Sequence, residues 1–352
     1  MTNLAQPMSG STAMKYTLET SADKILKAGW NDFIEKHPEG NIFQTPLMFE
    51  VYRSSKGTEP FLIATVNEQG EIAALLLSAI QKENDNLLTG RFSARSIISG
   101  GPVVSNNDPE LFHLILKGYN EKIKSRAIYS QFRNLRDMSG MQVIFEKNGY
   151  VFEDHLNIHV DLTKTEEELW KEVHSKRRNE IRRAYREGTE FRVAEDKGSL
   201  RDCYSILREV YHSAKIPLAD FSFFENLLDH SDRKSGIRIF TAVYEQQIIG
   251  CMLALVFRDT IFDMYAGSYR KYYGKYPNDL IPWEVFKWGR ANGYRLFDFG
   301  GAGKPGVTYG VRDYKKKFGG TTVNFGRFEL IHKPMNYKIG KVGLQVWKRL
   351  KF

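Results

Sequence analysis

Three stretches of this sequence carry residue types at spacings that can do chemistry. KRRNEIRRAYREG, from Lys176 to Gly188, extends a helix that Thr165 caps, with Glu168 three positions on completing a capping box. At 3.6 residues per turn, Leu169, Trp170, Val173, Ile181 and Ala184 share one side, and Arg178, Arg182, Arg183 and Arg186 the other. Arginine forks grip phosphate bidentately, so this face suits a pyrophosphate or an RNA backbone; a solvated face paired with Glu180 and Glu187 is the plainer alternative. In GYRLFDFGGAGKPG a strand ends at Asp298 and enters a loop containing Gly300, Gly301, Gly303 and Gly306, a setting in which ligand sites form. Asp298 can orient or deprotonate an attacking amine, or bond neighbouring backbone amides. A phosphate-binding P-loop needs Ser or Thr after its Gly-Lys pair, and Pro305 stands there. DYKKKFGG reads as a loop or turn in which one of Lys315, Lys316 and Lys317 neutralises the oxyanion of an acyl-transfer intermediate, or in which all three are solvated.

Other chemistries lack their residues. His155 and His159 sit four apart in a strand, roughly 13 Å, too far to share a metal. No GxSxG elbow is present, and neither Cys203 nor Cys251 falls in a Cys/His grouping, so direct attack by the acceptor is simpler than a covalent acyl-enzyme. No metal or cofactor is expected.

The elements that must position these residues fall into two similar series. In the first half, helices over 22–37 and 46–54 precede a hairpin turning at Asn67 to Gly70, the strand SIISGGPVVS, a helix from Pro109 and the strand AIYSQFRNL. In the second half, helices between Thr165 and His230 precede a hairpin turning at Glu245 to Gln247, the strand TIFDMYAGSY, a helix from Trp283 and the strand YRLFDF. Repeated order predicts a duplicated mixed α/β fold, each unit a mixed sheet flanked by helices. The boundaries are a polar tail over 1–15, domains over 16–160 and 161–335, and a C-terminal segment over 336–352. That last segment reads as a basic amphipathic helix, with Ile339, Val342, Val346, Trp347 and Leu350 opposite Lys338, Lys341, Lys348 and Arg349. It docks either on the protein or on an anionic membrane.

At 352 residues, two cores are expected rather than one, and 42% hydrophobic with 26% charged residues is a globular composition. Two cysteines far apart in sequence read as free buried thiols in a reducing compartment. The first sixteen residues lack a secretory pattern and the longest apolar run, Ile248 to Phe257, is too short to span a bilayer, so a cytoplasmic protein is expected. Lys and Arg outnumber Asp and Glu by 51 to 42, a net +9 that favours anionic partners or serves solubility.

Taken together, EELWKEVHSKRRNEIRRAYREG, then MYAGSY followed by NDLIPWEVFKWGRANGYRLFDFGG, then YKKKFGG, in that order and over most of the chain, resemble the Fem-type peptidyl aminoacyltransferases and related acetyltransferase-like (GNAT) proteins. The resemblance implies tandem GNAT-like domains and transfer of an aminoacyl or acyl group to a primary amine. It implies aminoacyl-tRNA as donor, with acyl-CoA the alternative, and a peptidoglycan precursor as acceptor. By position Lys315 matches the lysine of the family's Phe-Lys pair, Tyr314 replacing the phenylalanine, and Arg178 or Arg182 would meet phosphates. Asp298, Lys315 and Tyr265 become the expected catalytic set, with Arg53, Arg178, Arg182, Tyr314 and Phe318 as substrate-binding residues. In FQTPLMFEVYR, Tyr52 holds the family's lysine position, leaving Arg53 as its substitute. The segment RKYYGKYP departs from the pyrophosphate loop that coenzyme A enzymes carry, which favours another donor. Two other readings stay open: an acyl-CoA-dependent acyltransferase for a polysaccharide, lipid or small amine, and a non-catalytic module that binds RNA or membrane.

Overall fold

The computed structural model describes residues 16–82 and 94–340. Two mixed sheets dominate it. The first runs Thr17–Glu19, Thr58–Val66, Ile72–Gln81, Arg95–Ser99, Tyr129–Arg133, Arg327–Ile331, Val151–Glu153, with Val103–Val104 paired beside Ile72–Gln81. The second runs Thr321–Asn324, Leu156–Asp161, Leu296–Gly301, Thr260–Ser268, Gln247–Phe257, Gly236–Tyr244, Glu190–Ala194.

Each sheet is built around an expected hairpin and one parallel crossover. In the first, Asn67 closes the turn by accepting from the Gln69 and Glu71 amides at 3.1 and 2.8 Å, while Gly70 takes the left-handed φ of 82°. The helix Pro109–Ile123 then carries the chain to the parallel strand Tyr129–Arg133. Asp108 caps it through the Glu110 amide at 2.8 Å, and proline at its first position needs no donor. Its inner face, Leu111, Phe112, Ile115, Leu116, Tyr119 and Ile123, is fully packed on the sheet. In the second sheet the helix Pro277–Ala291 performs the same crossover, between Thr260–Ser268 and the parallel strand Leu296–Gly301. It begins six residues before the expected Trp283.

Sheet pairing cuts the chain differently from the expected boundary at 160. Leu156–Asp161 lies beside Leu296–Gly301 in the second sheet, because His159 and Val160 register with Asp298 and Phe297. Arg327–Ile331 returns to the first sheet and fills the gap between Tyr129–Arg133 and Val151–Glu153. The domains also share a core: Ile25, Trp30, Met48 and Val51 pack in one cluster with Leu200, Phe224, Ile239 and Leu253. Cys203 and Cys251, free and buried, meet inside it, the Cys251 thiol 3.7 Å from the Cys203 carbonyl.

The expected continuous helix from Thr165 to Gly188 is two helices, Glu166–Glu172 and Ser175–Arg186. Buried Val173 is extended at ψ 127°, and His174 caps the second helix through the Lys176 amide at 3.2 Å. The capping box at Thr165 and Glu168 is present. The DYKKKFGG lysines lie not in a loop but at the end of the helix Gly310–Lys316, whose last turn their positive charge favours. The polar tail over 1–15 lies outside the described residues, as does most of the expected C-terminal helix; residues 334–340 are helical.

Candidate active site

The site forms where neighbouring strands part. Thr260–Ser268 and Leu296–Gly301 run parallel only as far as the Phe262 and Asp298 pair. Beyond it Gly300 turns at φ 68°, and the pairing with Leu156–Asp161 shifts between Asp298 and Gly301. At this shift the Phe299 and Gly301 carbonyls accept from Lys315 Nζ, at 2.5 and 3.1 Å. On the other strand, Leu253 opposes Tyr265 and Ala254 opposes Asp263, so Met264 is an extra residue, a β-bulge. Asp263, Met264 and Tyr265 consequently all reach one cavity of about 370 Å³ between the domains.

Lys315, Tyr265 and Asp263 line this cavity together with Tyr52, Arg133, His155 and Arg327. Burial pushes the Asp263 carboxyl up to about 6, with Lys315 opposing and Asp298 reinforcing the rise. Burial lowers the Lys315 ammonium, and Asp263 and Asp298 partly restore it. Among the described residues the Asp263 carboxylate has no hydrogen-bond partner, so it is open to substrate. Tyr265 rests against Phe224 and Tyr211, ring centroids 4.9 and 5.4 Å away, and burial raises its phenol. An acid-base group and a hydrogen-bonded cation on one wall are the parts that acyl transfer to an amine requires.

Asp298 does not line the cavity. It is 3% exposed and its Oδ1 accepts from the Gly300 amide at 2.7 Å, while Asn157 Nδ2 lies 3.3 Å from both oxygens and His159 Nε2 3.4 Å from Oδ2. Of the two roles its position allowed, the structure supports backbone bonding: Asp298 holds the turn at Gly300 that precedes the Gly301 carbonyl. Arg53 pairs with Glu50 on the exposed flank of the helix Pro46–Ser54 and does not line the cavity, whereas Tyr52 does, stacked on Phe223 at 6.4 Å.

Arg178 and Arg182 lie away from the cavity, because the helix break turns them back onto Trp170. Arg178 donates to the Trp170 carbonyl at 3.3 Å, and the Arg182 guanidinium covers the Trp170 ring at 5.3 Å. Tyr314 and Phe318 pack beneath Lys315 rather than touching the cavity. The Tyr314 hydroxyl donates to the Asn278 carbonyl at 2.5 Å, and Phe318, 1% exposed, sits against Phe299 and Phe286. Arg177, passed over in the sequence, ties this layer together by pairing with Asp279 and Glu180 and covering the Tyr314 ring at 4.9 Å. The His174 amide donates to the Lys317 carbonyl at 2.8 Å, joining the arginine helix to the end of the lysine-bearing one.

Asp263, Arg133 and Arg327 were not singled out by sequence. An acid inside the apolar run TIFDMYAGSY was the available signal for the first, and an arginine closing the strand AIYSQFR for the second. Arg327 opens a segment, RFELI, whose alternation identifies a strand but not the distant sheet it joins. Among the described residues no group of histidine, cysteine and acidic side chains is arranged to hold a metal.

Residues 175–316 match the acetyltransferase (GNAT) domain family. A UDP-N-acetylmuramoylpentapeptide-lysine N(6)-alanyltransferase of Weissella viridescens is 22% identical over 294 residues, 77% of this chain and 83% of that protein. The crystal structure of FemX superposes with a TM-score of 0.68 at 15% identity, covering 92% of this chain and 99% of that one. L-PGS from Bacillus licheniformis superposes with a TM-score of 0.57 at 17% identity, covering 90% and 93%. Two sheets of like topology, the acetyltransferase (GNAT) match over the second, and a relative matched across both make this chain a tandem GNAT-like fold that is similar throughout to Fem-type aminoacyltransferases.

Proposed function

We propose that the chain transfers an aminoacyl group from aminoacyl-tRNA to a primary amine of a peptidoglycan precursor. The observation that carries this reading is Lys315, held on the Phe299 and Gly301 carbonyls and sharing a cavity with Asp263. The amine nitrogen attacks the ester carbonyl, the new C–N bond forms and the C–O bond to the ribose breaks. The amine proton passes to Asp263, ionised above about pH 6, and the departing ribose oxygen is reprotonated. Lys315 hydrogen-bonds the oxygen on which negative charge develops. Arg133, Arg327 and Lys315 also disfavour a protonated amine nearby, keeping the nucleophile neutral.

The Weissella relative's name specifies a lysine amine of a UDP-linked pentapeptide, which supports this acceptor class. Where coenzyme A enzymes of this fold would receive a pyrophosphate, Pro277 lacks an amide donor and Asp279 places a carboxylate paired with Arg177, which supports tRNA over acyl-CoA. Such a donor implies a cytoplasmic setting. No helix among the described residues is long and apolar enough to cross a membrane. Exposed Met335 and Ile339, four apart on the helix over 334–340, support peripheral contact with an anionic inner membrane face. The test is radiolabel transfer from a mixed pool of charged tRNAs, and in parallel from acetyl-CoA, to soluble and lipid-linked precursors. Transfer from tRNA is expected; transfer from acetyl-CoA alone overturns the donor.

A further inference from the structure

On its first-sheet side the cavity holds two cations to which the transfer step assigns no ligand. Arg133 and Arg327 are direct antiparallel partners on adjacent strands of the first sheet. Residues so placed hold their Cβ atoms about 4.5–5.5 Å apart on one face, where like charges repel. Both line the cavity, and among the described residues neither makes an ion pair, although Glu153 opposes Arg327 from the strand on its other side.

The nearby acids are engaged elsewhere. Glu153 pairs with Lys304 at 3.1 Å, and Glu329 accepts from Gln131 at 3.1 Å and from the Tyr337 hydroxyl at 2.6 Å. Arg133 uses its Nε on Gln131 Oε1 at 3.1 Å, and Arg327 uses Nη2 on His155 Nε2 at 2.8 Å. His155 accepts that bond and so is neutral, consistent with a ring held down to about 4 by burial and by Arg327. Each guanidinium has five N–H donors, so most of them have no protein acceptor among the described residues. Burial lowers both arginines, aided by Arg95 at Arg133 and by Arg133 at Arg327, which falls to about 10. Unmatched buried cations cost stability unless a ligand supplies the counter-charge.

We propose that Arg133 and Arg327, with neutral His155 steering Arg327, form a subsite for an oxyanion of the acceptor, a phosphate or a carboxylate. A side chain on Gly301 would meet His155 Nε2 at 2.8 Å and Arg327 Nη2 at 3.8 Å, and the Gly301 carbonyl itself holds Lys315. The subsite therefore abuts the reacting end of the cavity. It supplies, from two strands of the first sheet, acceptor binding of the kind expected of Arg53 on the helix Pro46–Ser54. This inference rests on the proposed function for its ligand, but its test needs no turnover.

Isothermal titration of the full chain with inorganic pyrophosphate, and separately with acetyl-glycyl-glycine, reads anion binding directly. At least one is expected to bind in the millimolar range or tighter, with Arg133→Met and Arg327→Met each weakening it about tenfold or more. Weakened pyrophosphate binding assigns a phosphate, and weakened peptide binding a carboxylate. Because each variant removes one of two repelling buried charges, its melting temperature should hold or rise. No saturable binding of either probe, binding unchanged in both variants, or a lowered melting temperature with binding retained overturns the subsite. Anion binding that responds to the variants in a protein without transfer activity would leave the subsite standing and reject only the function proposed above.

Discussion

Replacing Asp263 with asparagine tests the active-site reading through stability and rate together. In the native protein its carboxyl titrates near 6, against 3.8 for an ordinary aspartate. The native state therefore holds this proton more tightly than the unfolded chain. The associated stability is full below about pH 4 and is lost as the pH rises through about 6. That difference corresponds to at most about 3 kcal/mol, and access of water to the cavity reduces it to about 1–2 kcal/mol. The amide in the Asp263→Asn variant does not titrate, so the variant should gain stability relative to wild type across pH 4 to 6 and keep that gain at pH 7 to 8. Denaturant titration at each pH measures it. The same variant should lose about 10²–10⁴ in kcat/KM and the acid limb of the rate profile near pH 6. A stability difference that is constant from pH 4 to 8, or an acid limb that survives, would refute the assignment.

Lys315→Ala should lower kcat about 10²–10³-fold in single-turnover transfer, and should also lower the melting temperature because the Phe299 and Gly301 carbonyls lose their donor. Arg53→Ala should leave kcat/KM within about twofold of wild type, because Arg53 pairs with Glu50 outside the cavity; a tenfold loss would return it to the site. Arg177→Met leaves Asp279 buried without its cation and should cost about 3–5 kcal/mol, which chemical denaturation would show. Adding Asp279→Leu should recover much of that loss, and no recovery would mean that the pair is not the source.

Local patterning carried most of the architecture. Both hairpins, the helix from Pro109 and the strand ending at Asp298 follow from periodicity and turn residues, and Lys315 and Tyr265 were identified within the motifs that hold them. What sequence did not supply was direction. Arg178 and Arg182 fit a phosphate face on a continuous helix, but burial of Val173 interrupts it and folds them onto Trp170. Arg53 and Tyr52 are neighbours, and tertiary packing alone decides which one faces the cavity. Asp263 reaches the site through a bulge that depends on register with the Gln247–Phe257 strand, and Arg133 meets Arg327 through pairing with a strand far along the chain.

The return of Arg327–Ile331 to the first sheet has a consequence for synthesis on the ribosome. The Tyr129–Arg133 strand emerges with one edge unpaired and stays so until its partner is translated. At roughly 5–20 residues per second, that interval is on the order of 10–40 s. During it the nascent N-terminal unit exposes a strand edge that another chain can occupy. Emergence of Arg327–Ile331 then closes the edge and brings Arg327 beside Arg133, so the cavity is completed only after every strand of the second sheet has been made.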